Sequence, residues 1–355
     1  HHAPITTHYV VLGIYMIAPK VDTHSGQSNI HHHLGTLVES ATTHHVVLGI
    51  YMIAPKVDTL VIGFLSYADA GYVFISIQCS CGVKTDISYD MRSIRLMTSN
   101  VLNSEKNYDA RTRRIINGVI RYHPDVICFQ ELRIDGMRGL ESHLASKGFK
   151  LYNRSLIKNN PVDTVGIAVK SNSNAIRVEM PVESESIALT MRVYGKSIGI
   201  ASYHGYWGAT GQAERYHETS SFGSLFDADV QVVAGDYNAV TEESAIRVMR
   251  GFESGESGWS YWMDAQSVMN GLHGGRELPT TYSTGLGAST AAEHGIHAGL
   301  MPERCIDHIM SRGFNYGKAG GYCGFEIIDW LDSSNGHVQL DSLTDHRILL
   351  ADIII

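Results

Sequence analysis

The sequence predicts an α/β domain over residues 91–355, preceded by a small β-rich module over residues 1–90. Three observations predict it. Apolar runs of strand length, several rich in Val and Ile, recur along the second part of the chain. Stretches with apolar residues at helical spacing lie between them, which is the alternation of an α/β domain. Acids, amides and histidines stand mostly where the apolar runs end. The composition agrees: 44% hydrophobic residues is ordinary for a globular protein. A net charge of −8 gives no basic footprint, so any contact with nucleic acid must be local or use metal ions to offset phosphate charge. Five scattered cysteines do not make a disulfide framework.

The first ninety residues repeat themselves. Thr6–Thr23 recurs as Thr42–Thr59, with only Tyr9 against His45 changed. Each copy is a β-rich apolar run ended by Ala-Pro, where proline stops a ladder. Strands are predicted near 9–17, 45–53, 60–67 and 72–79, with a turn at Ala68–Gly71. Between the copies His31, His32 and His33 suit either a metal or a solvated loop. No cleavable signal peptide is read, since the first residues carry His rather than Lys or Arg. The longest apolar stretch, Leu60 to Cys79, is broken by Asp69 and Gly71 and predicts strands, not a membrane span. Location is left open between cytoplasm and virion.

In the second part, Ile94–Thr98 predicts a buried strand delivering Ser99 and Asn100. A helix opens at Asp109–Arg111, shows its apolar stripe at Ile115, Ile116, Val119 and Ile120, and ends at His123-Pro124. Asp125–Phe129 is the next buried strand and delivers Gln130-Glu131. A glutamate at that mouth needs a partner: a metal, or an arginine such as Arg133. A helix near Gly136–Lys147 follows. Strands are then predicted at Phe149–Asn153, Gly166–Lys170, Ile176–Met180, Ile187–Tyr194 and Ser197–Ser202, the last delivering His204 before Gly205. A helix spans about Gln212–Phe226. The Val230–Ala234 run ends at Gly235 and presents Asp236 and Asn238, two apart and so on one side of an extended chain. The pair suits a phosphate site or an Asx turn. Helices are predicted near Glu242–Arg250 and Gly258–Asn270, then a long Gly/Ser/Thr/Ala loop from about Gly271 to Pro302. Arg304–Met310 predicts a strand with Asp307 in its apolar middle. Asp345-His346 stands before the closing strand Ile348–Ile355 as a ready base or phosphate-binding pair.

Taken in order, TSN at Thr98–Asn100, QE at Gln130–Glu131, the histidine of SYHG, GDYN at Gly235–Asn238, IDHI at Ile306–Ile309 and TDH at Thr344–His346 resemble the endonuclease/exonuclease/phosphatase superfamily, the DNase I-like fold. The resemblance covers about residues 94–355. It implies a four-layer α/β sandwich of two packed mixed β-sheets, with the site at the strand ends, and cleavage of phosphoester bonds with Mg²⁺, or with Mn²⁺ or Ca²⁺. Carried over, Asn100, Glu131 and Asp345 would hold the metal. Asp236 and Asn238 would position the attacking water and the phosphate. His204, and His346 oriented by Asp307, would contact the scissile phosphate. Arg133 would reach the substrate, with Arg111, Arg113 and Arg114 adding phosphate contacts. The family's Tyr and Glu between the second strand and the first histidine have no clear counterpart in NNPVDTVGIAVKS.

The expected function is a divalent-metal-dependent nuclease, acting on DNA rather than RNA. Two other classes fit the same residues: a phosphodiesterase or phosphatase on a small or lipid phosphoester, and a structural virion or filament component whose residues 1–90 drive self-assembly.

Overall fold

The computed structural model describes the backbone of five strands before Met91 and, from Arg92 onward, all residues except 155–161, 179–184, 257, 273–304, 314–319, 334–335 and 340–342. His31–His33, the turn at Ala68–Gly71 and nearly all of the Gly271–Pro302 loop lie outside the described residues. Contacts divide the chain into two units, His1–Met91 and Arg92–Ile355.

In the first unit, β1 (Tyr9–Tyr15) pairs with β2 (His45–Tyr51) in parallel. The register sets each residue of one copy of the repeat beside its duplicate in the other, Tyr9 against His45 through Tyr15 against Tyr51. A separate three-stranded antiparallel sheet holds β3 (Leu60–Ile62), β4 (Tyr72–Cys79) and β5 (Lys84–Asp90).

The second unit is the expected sandwich of two mixed six-stranded sheets. Its elements run β6 (Ser93–Asn100), α1 (Tyr108–Val119), β7 (Val126–Arg133), α2 (Met137–Ser146), β8 (Phe149–Asn153), β9 (Asp163–Lys170), β10 (Ile176–Val178), β11 (Ser186–Val193) and β12 (Lys196–His204). They continue with α3 (Gln212–Ser221), β13 (Val230–Asp236), α4 (Ser244–Met249), β14 (Met263–Asp264), α5 (Ala265–Leu272), β15 (Asp307–Gly313), β16 (Tyr322–Ile328), β17 (Trp330–Ser333), β18 (Gly336–Gln339) and β19 (Ile348–Ile354). One sheet orders β16-β19-β6-β7-β9-β8; the other orders β10-β11-β12-β13-β15-β14. Each contains a single parallel pair at its centre, β6 with β7 and β12 with β13. A helix connects each pair, as parallel neighbours require.

Alternation along each strand builds the layers. Ile94, Leu96, Val126 and Cys128 meet Ile198, Ile200, Val230 and Val232 between the sheets. The intervening Met97, Ile127 and Phe129 face α1 and α2 through Ile115, Ile116, Val119, Leu140 and Leu144. On the far side Ala201, Tyr203 and Val233 pack against Ile246, Val248 and Met249 of α4. Both faces of the central strands are covered, which is why they read as largely apolar runs, interrupted at Arg95 in β6 and Gln231 in β13. At the centre, Gln130 Nε2 donates to Ser202 Oγ (3.0 Å) and Ser202 Oγ donates to Phe129 O (3.0 Å), tying the two sheets just below the strand ends.

Several boundaries differ from the sequence reading. Gly258–Asp264 is not helical: β14 pairs onto β15 there, and the helix waits until Ala265. Asp307 begins β15 instead of sitting mid-strand, and it stands opposite Asp236 across the ladder. The predicted helix over Gln212–Phe226 stops at Ser221 and tightens to a 3-10 turn. β16 to β18 were not legible, because Gly324 and Glu326 break the alternation of β16 and the β17–β18 hairpin is only four residues a side.

Gly235 is required by space. A Cβ there would lie 1.9 Å from Tyr203 O, on the parallel neighbour. Gly235→Ala is therefore expected to destabilise the domain by about 3 kcal/mol, the upper part of the overpacking range, read as a lower urea midpoint. An unchanged midpoint would show that β12 and β13 are not this closely paired.

Candidate active site

The four central strands end together, and their terminal side chains meet. Asn100, closing β6, donates from Nδ2 to Glu131 Oε1 (2.9 Å) and to Asp236 Oδ2 (3.1 Å), joining residues from both sheets. Its oxygen accepts from Leu102 N (2.9 Å). Thr344 Oγ1 donates to Asn100 O (2.8 Å), which brings the Asp345-His346 segment to the same place. Glu131 sits at a bulge where β7 slips against β9, with φ of 58°. A left-handed glutamate costs on the order of 1–3 kcal/mol, and such outliers cluster at functional sites. The twist turns its carboxylate inward, where Oε2 accepts from Asn103 N (2.9 Å). Asn238 also has a positive φ, 50°, which asparagine tolerates. Its N–H caps Asp236 Oδ1 (2.8 Å) and its Nδ2 donates to Gly205 O (2.9 Å). The Asx turn and the site are one object.

Two histidines converge on the same oxygen. His346 is held at Nδ1 by both oxygens of Asp307 (3.1 and 2.9 Å), which leaves Nε2 at 3.6 Å from Asp236 Oδ2. His204 is held at Nδ1 by Glu185 Oε2 (3.4 Å), and its Nε2 lies 3.8 Å from both Glu131 Oε1 and Asp236 Oδ2. Burial opposes a charge on His204, but the Glu185 hydrogen bond and the Asp236 and Glu131 charges outweigh it and push its pKa up to about 10. Burial likewise opposes a charge on His346, and the Asp307 and Asp236 carboxylates overcome it. Both shifts favour the imidazolium form, in which Nε2–H donors point into the cleft.

The carboxylates divide. Burial works against ionised Glu131, yet His204, the Asn100 amide, Asn103 N–H and His346 hold its pKa below the usual value. Burial raises Asp236, with His346 opposing and Asp307 adding to the rise. Burial also raises Asp345, to about 6, opposed by His346 and reinforced by Glu131 and Asp236.

Of the nine residues expected at the site, all but Arg133 are thus brought to one cleft or to its immediate support. Arg133 is committed elsewhere: it forms a paired contact with Asp135 (3.0 and 2.6 Å) and donates to Asn103 O (3.2 Å). It borders an open groove of about 660 Å³ along the start of α1, shared with Glu105, Asp109 and Asp135. Arg111 is not a phosphate contact. It is 7% exposed and its guanidinium satisfies the carbonyls of Val101, Leu102, Ser104, Lys106 and Leu343. Glu185 is the residue the sequence reading missed. It stands before β11, beyond NNPVDTVGIAVKS, and the pairing of Ser186 with Tyr203 puts it beside His204.

Glu185→Gln is expected to lower the His204 pKa from about 10 towards 6.5, seen by NMR titration of the ring. The sign is fixed: a raised histidine pKa adds stability below about 6.5, and that stability is lost as pH rises through about 10. A variant with an unmoved titration would break the assigned Glu185–His204 contact.

A divalent cation fits this donor set. Ligand atoms of Glu131, Asp236 and His204 lie within 4.8 Å of one another; the two carboxylates can face a cation, while His204 could ligate it only as neutral imidazole. Asp345 Oδ1 is buried with no hydrogen-bond partner, His346 Nε2 standing 3.9 Å away, an expense that a cation in closer contact would offset. Asn100 could offer its amide oxygen only by turning the amide and giving up the Leu102 bond.

No family model matches the sequence, and no curated protein matches it. The fold is similar to solved structures. Truncated Caenorhabditis elegans TDP2 superposes with a TM-score of 0.54 at 14% identity, over 74% of this chain and 98% of that one. D. rerio TDP2 complexed with single strand DNA product gives 0.51 at 14% identity, over the same 74% and 98%. At this identity the likeness is one of fold, that of the endonuclease/exonuclease/phosphatase, DNase I-like group.

Proposed function

We propose that the Arg92–Ile355 unit is a divalent-metal-dependent phosphodiester hydrolase acting on nucleic acid, DNA before RNA. The observation that carries this is the meeting of Asn100, Glu131, Asp236, His204 and His346 at the ends of strands from both sheets. A D. rerio structure of the same fold is described with single strand DNA product, which supports the choice of substrate.

Glu131 and Asp345, with Asn100 beside them, would hold Mg²⁺ or a similar ion; two carboxylates suffice because Mg²⁺ keeps several waters. When bound, it supplies charge stabilisation to the phosphoryl oxygens. The chain supplies the rest. Nε2–H of His204 and of His346 donate to the non-bridging phosphate oxygens as negative charge grows there. Asp307 and Glu185 keep those donors aimed. Asp236 Oδ2 takes the proton of the attacking water, since both rings are favoured in the charged form and so do not accept it; the water oxygen bonds to phosphorus as the P–O bond to the leaving alkoxide breaks, and that alkoxide takes its proton from solvent water. Asn238 holds Asp236 and the Gly205 carbonyl in place.

Plasmid DNA incubated with Mg²⁺ should be nicked, the nicking should stop with chelator, and Glu131→Gln should need a higher Mg²⁺ concentration for the same rate. Nicking in chelator, or an unchanged Mg²⁺ requirement in the variant, would reject the reading. Phosphate release from headgroup esters with the plasmid intact would move the activity to small phosphoesters.

For residues 1–90 we propose a self-assembly role. In-register pairing of β1 with its duplicate β2 is a contact that equivalent strands of two chains can also make. Light scattering of the full chain and of the chain lacking residues 1–90 decides it: the same number of chains per particle in both removes the role. Among the described residues no helix is long and apolar enough to cross a membrane.

A further inference from the structure

We propose that Trp207 is a stacking platform for an unpaired nucleobase beside the scissile phosphate, so that single-stranded or frayed nucleic acid is the substrate of this site. The proposal rests on the phosphodiester-hydrolase reading above. Trp207 is 71% exposed and stands three residues after His204. Lone exposed aromatics are common and need no explanation. What sets this one apart is how its backbone is held.

The loop leaves the site already fixed. Gly205 N donates to Asp236 O (2.8 Å), and Gly205 O accepts from Asn238 Nδ2 (2.9 Å). A Cβ at Gly205 would lie 2.2 Å from Tyr237 O, so the two chains touch there. From Gly205 to Trp207 is two Cα steps, about 7 Å at most. The backbone that carries the exposed indole is therefore held within that distance of the catalytic cleft. Past it, the loop is fixed again. Arg215 is 2% exposed, and its Nη1 donates to Tyr206 O (2.5 Å) and Gly208 O (2.8 Å), the carbonyls on either side of Trp207. Its Nη2 is anchored on Glu243 Oε2 (2.7 Å). Burying a guanidinium is expensive; Nε of Arg215 is left without a hydrogen-bond partner, and the pairing of its two Nη atoms fixes the three residues that carry one exposed ring.

A large flat ring on a backbone that is already ordered binds at low entropic cost. Every nucleobase has a π-face to offer it, whatever its sequence. A headgroup or sugar phosphate has none, and a base inside a duplex is already stacked on its neighbours. The occupant that fits is a base out of its stack.

The test compares a thymidine oligomer with an abasic phosphodiester oligomer of equal length. With Mg²⁺, wild type should favour the thymidine oligomer in kcat/KM by about ten- to a hundredfold. Trp207→Ala should bring the thymidine oligomer down to the abasic one, mainly through KM, and Trp207→Phe should keep part of the preference. In chelator, the thymidine oligomer should quench tryptophan fluorescence of wild type and not of Trp207→Phe. Equal losses on both oligomers, or equal quenching in both proteins, overturns the proposal even where hydrolysis stands. Quenching that depends on Trp207 without hydrolysis would sink the hydrolase reading and leave the stacking site. Neither hydrolysis nor quenching would sink both.

Discussion

Asp236→Asn is expected to lower phosphodiester hydrolysis by about 10³-fold, within the range for loss of a positioned general base, and to leave the fold in place. The side chain is 1% exposed at the end of β13, so alanine would add a cavity to the chemical change; asparagine keeps the volume. The Asn238 N–H bond to the Oδ1 position can survive, because the amide oxygen still accepts. What goes is the charge and the basicity at Oδ2, the atom 3.1 Å from Asn100 Nδ2, 3.6 Å from His346 Nε2 and 3.8 Å from His204 Nε2. Burial raises Asp236 above an ordinary aspartate, which makes it the better proton acceptor of the two central acids; Glu131 is pulled the other way. The histidines are poor substitutes, since their carboxylate partners favour the charged form. Initial rates at saturating and limiting substrate, with circular dichroism of the variant, check the result. A well-folded Asp236→Asn within tenfold of wild type would remove Asp236 from proton transfer and return that role to an imidazole.

The part of this site that could be read from the residues is the part carried by continuous buried strands. Val126–Phe129 and, apart from Gln231, Val230–Ala234 are apolar because sheets and helices cover both faces, and a polar residue ending such a run has few places to go except into the cleft. That argument reaches Asn100, Glu131, His204 and Asp236 without any knowledge of pairing. It does not reach Glu185, whose role is set by the antiparallel register of β11 on β12. Nor could it separate Arg111 from Arg133. Both looked like surface cations near an acidic mouth. One is swallowed by carbonyls contributed from residues 101–106 and from Leu343, more than 200 residues away; the other is neutralised by Asp135 two residues on. Non-local carbonyls leave no periodic trace in a sequence, so buried cations of this kind are where such reading fails.

Asp345→Asn should make the metal-free protein more stable and the catalyst worse. Asp345 lies at 7% exposure, with Oδ1 lacking a hydrogen-bond partner. Burial, with the charges of Glu131 and Asp236 adding and His346 opposing, raises its carboxyl from 3.8 to about 6. The sign follows from proton binding. Below pH 3.8 the carboxyl is neutral in both states and costs nothing extra. Between 3.8 and about 6 the unfolded chain ionises first, so stability falls. Above that the full penalty is present, about 3 kcal/mol at roughly 1.4 kcal/mol per pH unit. Asparagine never ionises and escapes it. In chelator at pH 7 the variant's Tm should therefore stand about 5–10 °C above wild type, and the gain should fade towards pH 4. Adding Mg²⁺ should raise wild type more than the variant, because a cation binding only the native state stabilises it by mass action and Asp345 is one of its holders. Stability that the apo fold gives up at this position is recovered as affinity for the ion, the usual exchange at a functional site. If the chelated variant gains nothing at pH 7 relative to pH 4, Asp345 is already satisfied in the native state, and the case for a cation at its bare oxygen goes with it.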